Sequence, residues 1–355
     1  MSSRRVVVVG GGIIGLASAY RLARAGHDVI ICDPALGHGA TWAAAGMIAP
    51  SAEIAPGEES NYRLQCRALD AWRELGDDLE ELVGENVGIY QRGTLLAGWD
   101  ASDRRLLEQF AQVAGEFNAP MRRVTRDESP EVFAGLTHRM SEGFIMDDDA
   151  WIDPDQAVAL LRRGLDALGA TVVEELVERV GADGDGVIVE TARQTIHAHS
   201  GLLATGSTPL PQGAEASGDN VIRPIRGITV RVHGLDRSDQ PMIRAFVRGR
   251  AFYMVSRPEG YCVLGATAEE KSELVVEVGE LQRLLRDALD VVPSLETAAI
   301  AELRYGLRPA SADLQPFFEE ISPRGWAWLS GHYRHGVTLA PLASLEATRF
   351  VASAP

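Results

Sequence analysis

The chain has 355 residues, 46% of them hydrophobic and 24% charged, and a formal net charge of −16. Such a length buries a large core and suggests two domains, and the composition is that of a globular protein. The acid excess excludes a nucleic-acid partner, which needs a basic surface, and no apolar stretch reaches the ~18 residues of a membrane helix.

Near the start, Arg5-Val6-Val7-Val8-Val9 runs into Gly10-Gly11-Gly12-Ile13-Ile14-Gly15, after which Leu16, Tyr20, Leu22 and Ala25 follow a helical period. This predicts a buried parallel strand turning sharply into a helix. Gly10 permits the turn, and Gly12 lets a pyrophosphate approach the backbone. Gly15 lets the helix pack closely on the sheet, with free N–H groups facing the phosphates. The next apolar run, Val29-Ile30-Ile31-Cys32, ends at Asp33, an acid placed to take a ribose hydroxyl pair. Together these spacings predict dinucleotide binding. The same N-terminus imitates a secretory signal, with Arg4-Arg5, an apolar run and Ala17-Ser18-Ala19. Three glycines would disrupt a signal's apolar helix, and cleavage would remove the phosphate loop, so the reading is a cytoplasmic protein.

The segment 37–50 is rich in small residues, which lets backbone approach a flat ligand. A helix is expected over 62–83, with Leu64, Ala68, Trp72, Leu75 and Leu79 on its apolar face, then a strand over 88–96 and a helix over 100–115. Asp147, Asp148, Asp149, Asp153 and Asp155 imitate a calcium loop, but Ile152 stands where that loop needs glycine. Asp153 reads instead as the cap of a helix opening at Pro154. A strand from Thr171 is expected to end near Val177, followed by strands at Gly186 to Thr191 and Ile196 to Ala198. Gly201 to Gly206 then reads as a buried strand returning to the nucleotide domain. From about 221 to 268 the pattern alternates, as in a meandering antiparallel sheet. The expected architecture is α/β, with a Rossmann-like domain (1–87, 150–218 and 302–355) interleaved with a smaller antiparallel-sheet substrate domain (88–149 and 219–301). Interleaving of this kind suggests a flavoprotein.

Cys32, Cys66 and Cys262 are odd in number and widely spaced, without metal-ligand spacing. Lys271 is the sole lysine, so 33 of the 34 basic residues are arginine. His332 and His335 have an H-x-x-H spacing, yet no third ligand motif lies nearby, and packing around a cofactor is the better reading. No metal is expected.

Several of these motifs occur together in one family. The opening fingerprint, Ala44-Ala45-Gly46-Met47-Ile48-Ala49-Pro50, Ala204-Thr205-Gly206, Arg223-Pro224-Ile225-Arg226-Gly227 and Gly265-Ala266-Thr267 resemble FAD-dependent enzymes of the D-amino acid oxidase family. Tyr305-Gly306-Leu307-Arg308-Pro309 and Gly331-His332-Tyr333-Arg334-His335-Gly336 are its most specific motifs here, and within the family the chain is most similar to the glycine oxidase (ThiO type) branch. The resemblance implies non-covalent FAD, since 309–316 has no cysteine. It places Gly10, Gly12, Ile13, Ile14 and Gly15 at the pyrophosphate, Asp33 and Pro34 at the adenosine ribose, and Val177 at the adenine. Ala40, Thr41, Ala45, Gly46, Met47, Ala204 and Gly206 would line the cofactor. His332, Tyr333, Arg334, His335, Gly336, Val337 and Thr338 would border the isoalloxazine ring, where a helix N-terminus stabilises charge gathering at N1–C2=O.

The resemblance also implies that Arg308 grips the substrate carboxylate and Tyr253 gives it a second hydrogen bond. Arg334 would close the other side, and Met47, Ala49 and Ala268 would complete the substrate pocket. No side chain is assigned as acid or base, because flavin N5 takes the hydride from Cα. The implied reaction turns glycine, sarcosine or D-alanine into imine or 2-oxo acid, ammonia and hydrogen peroxide, with imine supplied for thiamine thiazole synthesis and a hand-over to thiazole synthase. Dioxygen is the implied acceptor, and a homo-oligomer is compatible with the family. Ala268 and Ala251 stand where better-known members have methionine and can have histidine, which widens the expected pocket, and His335 replaces a more usual asparagine. The alternatives are a D-amino acid oxidase or dehydrogenase, a sarcosine-oxidase-like enzyme, or a flavin-fold binding protein without turnover.

Overall fold

The computed structural model describes residues 3–216 and 220–353, so the boundary expected at 218/219 lies outside the described residues. The strand Arg5–Val9 is covered on both faces, which is why its valines run unbroken rather than alternating with polar residues. It pairs in parallel with Asp28–Cys32 on one side and Ser200–Leu203 on the other. Thr171–Val173 and Trp326–Ser330 extend this sheet in parallel, and Phe317–Ile321 closes it with one antiparallel pairing. The helix Ile13–Arg24 buries Leu16, Ala19, Tyr20 and Ala23 against the helices Pro154–Ala167 and Gly336–Ser353. Trp72, fully buried in the helix Ala68–Val83, donates from Nε1 to the carbonyl of Val337 at 2.9 Å and so fixes where the last helix begins.

A second sheet of eight strands stands beside the first, in the order Ala299–Ala310, Arg223–His233, Tyr261–Gly265, Arg250–Arg257, Met242–Val247, Thr94–Gly98, Glu142–Met146, Arg122–Thr125. Its pairings are antiparallel except for Met242–Val247 with Thr94–Gly98, which run parallel. The strand Ala299–Ala310 stays in this sheet along its whole length, past residue 301. The helix Val278–Val291 covers one face, held by Arg226, whose buried guanidinium donates to Glu277 at 3.0 Å and Glu280 at 2.7 Å. Strands Val177–Asp183, Gly186–Thr191 and Thr195–Ala198 form a separate antiparallel sheet of three. No described helix is long and apolar enough to cross a membrane.

Three local expectations are corrected. The helix expected over 62–83 is two helices, Glu59–Cys66 and Ala68–Val83, with a turn at Arg67 whose N–H bonds to Leu64. Arg67 keeps near-helical angles (φ −84°, ψ −13°), so the apolar period passes through the break unaltered. The strand expected over 88–96 begins only at Thr94, because Gly88 and Gly93 both adopt positive φ and interrupt the extended chain. Val177 opens a new strand rather than ending the one at Thr171–Val173, the chain turning at Glu175, whose N–H bonds back to Val173.

Gly15 shows why glycine is needed where the first helix meets its own turn. A Cβ there would lie 1.9 Å from the carbonyl oxygen of Gly10, a backbone atom with nowhere to move. Gly15→Ala is therefore expected to cost about 3 kcal/mol of stability through overpacking. Urea unfolding of the apoprotein measures this, and a loss within error of zero would show that the turn can relax.

Candidate active site

The phosphate turn, the small-residue segment and the second sheet enclose one cavity of about 500 Å³. At one end, Gly10 turns with φ +108° while the Asp33 carboxylate accepts from Gly11 N at 2.7 Å and Ala35 N at 2.6 Å. Thr41 Oγ1 accepts from Ile13 N at 3.0 Å. Gly12 and Ile14 also line the cavity, and no described protein group accepts from their N–H groups. Unclaimed donors at a helix N-terminus, beside a carboxylate with spare lone pairs, fit a pyrophosphate and its ribose. Pro34, Ala40, Ala45, Gly46, Met47, Ala204 and Gly206 continue the lining.

The middle of the cavity is capped by the turn 331–335. Gly331 has φ +75°, and a Cβ on it would meet Gln315 O at 2.6 Å. Tyr333 N donates to Pro309 O at 2.8 Å, and Thr338 Oγ1 donates to Met47 O at 3.0 Å. These bonds set the start of the helix Gly336–Ser353 against both the Arg308-Pro309 strand end and the Met47 segment. His332, Tyr333, Arg334, Gly336 and Val337 line the cavity, whereas His335 and Thr338 hold it from behind. His332 is buried, and burial together with His335 pushes its imidazole down to about 4, so it is neutral near pH 7.

At the far end, two glycines of the sheet make room for two functional side chains. A Cβ on Gly227 would meet the Arg308 guanidinium at 2.3 Å, so that group lies flat over Gly227. Arg308 Nη1 donates to Thr267 O at 3.0 Å, leaving its other nitrogens without a described partner. A Cβ on Gly265 would meet the Tyr253 ring at 2.2 Å and its hydroxyl at 2.3 Å, so the phenol lies over Gly265. Burial and the nearby Glu53 charge push the Tyr253 phenol up to about 12, against the pull of Arg308, which leaves it a neutral donor. Ala251 and Ala268 are exposed at the cavity mouth.

Of the residues expected at the site, Gly15, Ala49, Val177, His335 and Thr338 lie outside the cavity lining, and the others are brought together around it. Gly15 and Ala49 are packed beneath it, and Val177 is buried at the start of the three-stranded sheet. Two residues that the sequence did not single out stand in the wall, Glu53 and Arg244. Arg244 Nη1 donates to Glu53 Oε1 at 3.0 Å, His335 Nδ1 lies 3.4 Å from Glu53 Oε2, and Arg334 donates to the Glu53 carbonyl at 3.4 Å. Burial alone would raise the Glu53 carboxyl, but His335, Arg244 and Arg334 hold it well below the usual carboxylate range. Nothing in a lone glutamate of the 51–58 loop announces this. The available signal was Arg244 itself, a charge set between the apolar residues Ile243 and Ala245 of a strand.

Residues 5–349 match the family described as FAD dependent oxidoreductase, and the chain belongs to that family. It is 29% identical over 349 residues to a glycine oxidase of Geobacillus kaustophilus, covering 96% of this chain and 90% of that one. It is 30% identical to the bifunctional protein ThiO/ThiG of Synechocystis, covering 96% of this chain and spanning only about half (50%) of that relative's length. The crystal structure of the Geobacillus glycine oxidase superposes with a TM-score of 0.88 at 24% identity, covering 99% and 96% of the two chains. An iminodiacetate oxidase from Chelativorans does so with 0.86 at 24% identity and the same coverage, so both share the fold. The protein is an FAD-dependent oxidoreductase.

Beneath the Glu53 turn, Asp149 Oδ1 accepts from Ser51 N at 3.3 Å while Oδ2 is buried without a partner. Burial, with Glu53 adding, raises its carboxyl to about 7. The native state thus keeps a proton that the unfolded chain releases above about pH 4. That contribution to stability is full at low pH and is lost as pH rises through about 7. Stability of the wild type relative to Asp149→Asn should therefore fall between about pH 4 and pH 7, by up to about 1.4 kcal/mol per unit. Urea titrations of both proteins across that range test it, and a constant difference would show that Asp149 is ionised in the fold.

Proposed function

We propose that this site oxidises glycine and other small amino acids, sarcosine and D-alanine among them, to the imine and then the 2-oxo acid, with release of ammonia and hydrogen peroxide. The observation that carries this reading is the Arg308 guanidinium held over Gly227 at the end of the FAD cavity, with the Tyr253 hydroxyl beside it over Gly265. A planar fork with open donors binds a carboxylate bidentately, and a neutral phenol adds a donor without adding charge. We assign the first sheet and its helices to FAD and the second sheet to the substrate, with the cofactor bound non-covalently.

FAD, when bound, supplies a two-electron acceptor. The chain's own residues supply position. Arg308 and Tyr253 hold the carboxylate, which fixes Cα relative to the cavity. Arg334, exposed at the opposite lip, closes over the amino acid. Neutral His332 and the opening of the helix Gly336–Ser353 present dipoles rather than a titrating charge at the cavity's centre. No side chain is needed as a base once the amine is bound neutral. The names of the glycine oxidase and ThiO/ThiG relatives support amino acid oxidation, and ThiO/ThiG supports a hand-over of the imine to thiazole synthesis.

Arg308→Leu removes the carboxylate's charged partner, an interaction of about 1.5–3 kcal/mol, and is expected to lower kcat/KM for glycine at least tenfold with FAD retained. Gly227→Ala leaves Arg308 in the chain but displaces its flexible end, so it should fold and raise KM for glycine similarly. Peroxide release measures both, and wild-type kinetics in either variant would remove Arg308 from the substrate site.

Ala268 bears on substrate range. The space beside it can bury a methyl group, contributing up to ~0.8 kcal/mol, which glycine cannot use. Activity on sarcosine or D-alanine should match that on glycine, and Ala268→Met should shift preference toward glycine. A kcat/KM ratio unmoved by the substitution would place Ala268 outside the pocket.

A further inference from the structure

A monocarboxylic amino acid needs one guanidinium at its carboxylate, and Arg308 provides it. The cavity contains another that this reading leaves unused. Arg244 lies in the strand Met242–Val247 directly opposite Tyr253 in the neighbouring strand, and Tyr253 lies opposite Gly265. Directly paired residues project on the same face of a sheet, so Arg244, Tyr253 and Gly265 form one row across the cavity floor. Glu53 occupies only Nη1 of Arg244, and no described group accepts from its Nε or Nη2. Neither nitrogen is sealed from solvent, and the side chain lines the cavity. Burial, with Arg334 nearby adding, lowers the guanidinium from its ordinary value even with Glu53 beside it. Ala251, two residues along the adjacent strand from Tyr253 and so on the same face, has too small a side chain to block the approach.

Arg308 and Arg244 face the same cavity from separate strands. The Arg308 guanidinium lies over Gly227, and the strand of Gly227 is three strand positions from that of Arg244. Three spacings make roughly 14 Å between the strand axes, before either side chain leans inward. An amino dicarboxylate holds its carboxylates roughly 5 Å apart. Hydrogen bonds of about 2.8 Å at each end extend the span to about 11 Å, shorter than the axis separation, so reaching both rests on the long arginine side chains leaning inward.

We propose that Arg244 recognises a second carboxylate, and that the site accepts amino dicarboxylates alongside small neutral amino acids. The second carboxylate is borne on nitrogen, as in iminodiacetate, or on the Cα side chain, as in D-aspartate. This rests on the amino acid oxidation proposed above. With iminodiacetate, a hydride leaves Cα and a proton leaves nitrogen, forming C=N. The two electrons pass to FAD and on to dioxygen, which takes two protons to give hydrogen peroxide. Water then splits the imine into glyoxylate and glycine.

The test mixes the FAD-loaded protein anaerobically with glycine, sarcosine, iminodiacetate, D-aspartate and the uncharged analogues N-ethylglycine and D-2-aminobutyrate, following loss of flavin absorbance. At least one dicarboxylate should show an apparent Kd at least tenfold below that of its uncharged analogue, and which one does so tells whether the carboxylate sits on nitrogen or on Cα. Arg244→Leu should abolish that ratio and Arg244→Lys should restore part of it. Should Arg244→Leu lose FAD, the wild-type ratio and the lysine variant decide the matter. If sarcosine or glycine bleaches the flavin while neither dicarboxylate outperforms its analogue, the role of Arg244 is overturned and amino acid oxidation stands. If no amine bleaches it, amino acid oxidation falls, and this proposal with it.

Discussion

The site depends on a clasp between the second sheet and the backbone of the small-residue segment. Arg304 Nη1 donates to the carbonyl of Trp42 at 2.9 Å, Thr229 Oγ1 to Ala43 at 3.0 Å, and Arg257 Nη2 to Ala45 at 3.0 Å. The same arginines reach the helix Pro154–Ala167 and its cap, Arg304 to Asp155 at 2.8 Å and Arg257 to Asp153. Both guanidinium groups are buried while their carboxylate partners stay partly exposed, so removing a carboxylate would strand a buried cation, and the pairs fix geometry. Here they hold a sheet carrying Arg308 and Tyr253 against a layer carrying the phosphate turn. Gly306 completes the clasp, because a Cβ on it would meet Gly39 O at 2.9 Å and Ala40 Cα at 3.0 Å.

Charge is distributed along the cavity according to task. The phosphate end uses backbone N–H groups and one carboxylate, with no lysine or arginine among the described residues of its lining. The centre has neutral His332, held low by burial, and Tyr253 beyond it is held high by burial, so neither gains or loses a proton near pH 7. The far end gathers Arg244, Arg308 and Arg334 around Glu53. Those four residues come from four separate parts of the chain, and the turn 331–335 joins them by bonding to Pro309 and to the Glu53 carbonyl.

The segment 37–50 shows how local and tertiary constraints meet. Its small residues were readable as a close approach of backbone to a flat ligand. Their carbonyls are in addition the acceptors that the second sheet grips, a use that composition does not reveal. Asp153 likewise caps its helix by accepting from Asp155 N at 2.9 Å, as its position before Pro154 implies, and also meets Arg257 from the other sheet.

The sequence by itself determined what is local. Gly10 to Gly15 specify a strand turning into a helix, Asp33 follows at the end of the next strand, and the motifs around Arg308 and His332 mark where substrate and cofactor groups are expected. The first two are set by φ, ψ and side-chain chemistry over a few residues, and the last rests on the resemblance to a family. The turn at Arg67 stayed hidden because it preserves the helical period, and the late start of the strand at Thr94 because two positive-φ glycines interrupt an otherwise extended pattern. Tertiary structure alone decided that Gly227 and Gly265 are glycine so that Arg308 and Tyr253 can lie over them, and that Glu53 meets Arg244 and His335. Those pairings join residues from a dozen to nearly three hundred positions apart. Their basis is the space and charge left when two sheets close on one cavity, a quantity that does not exist until the chain has folded.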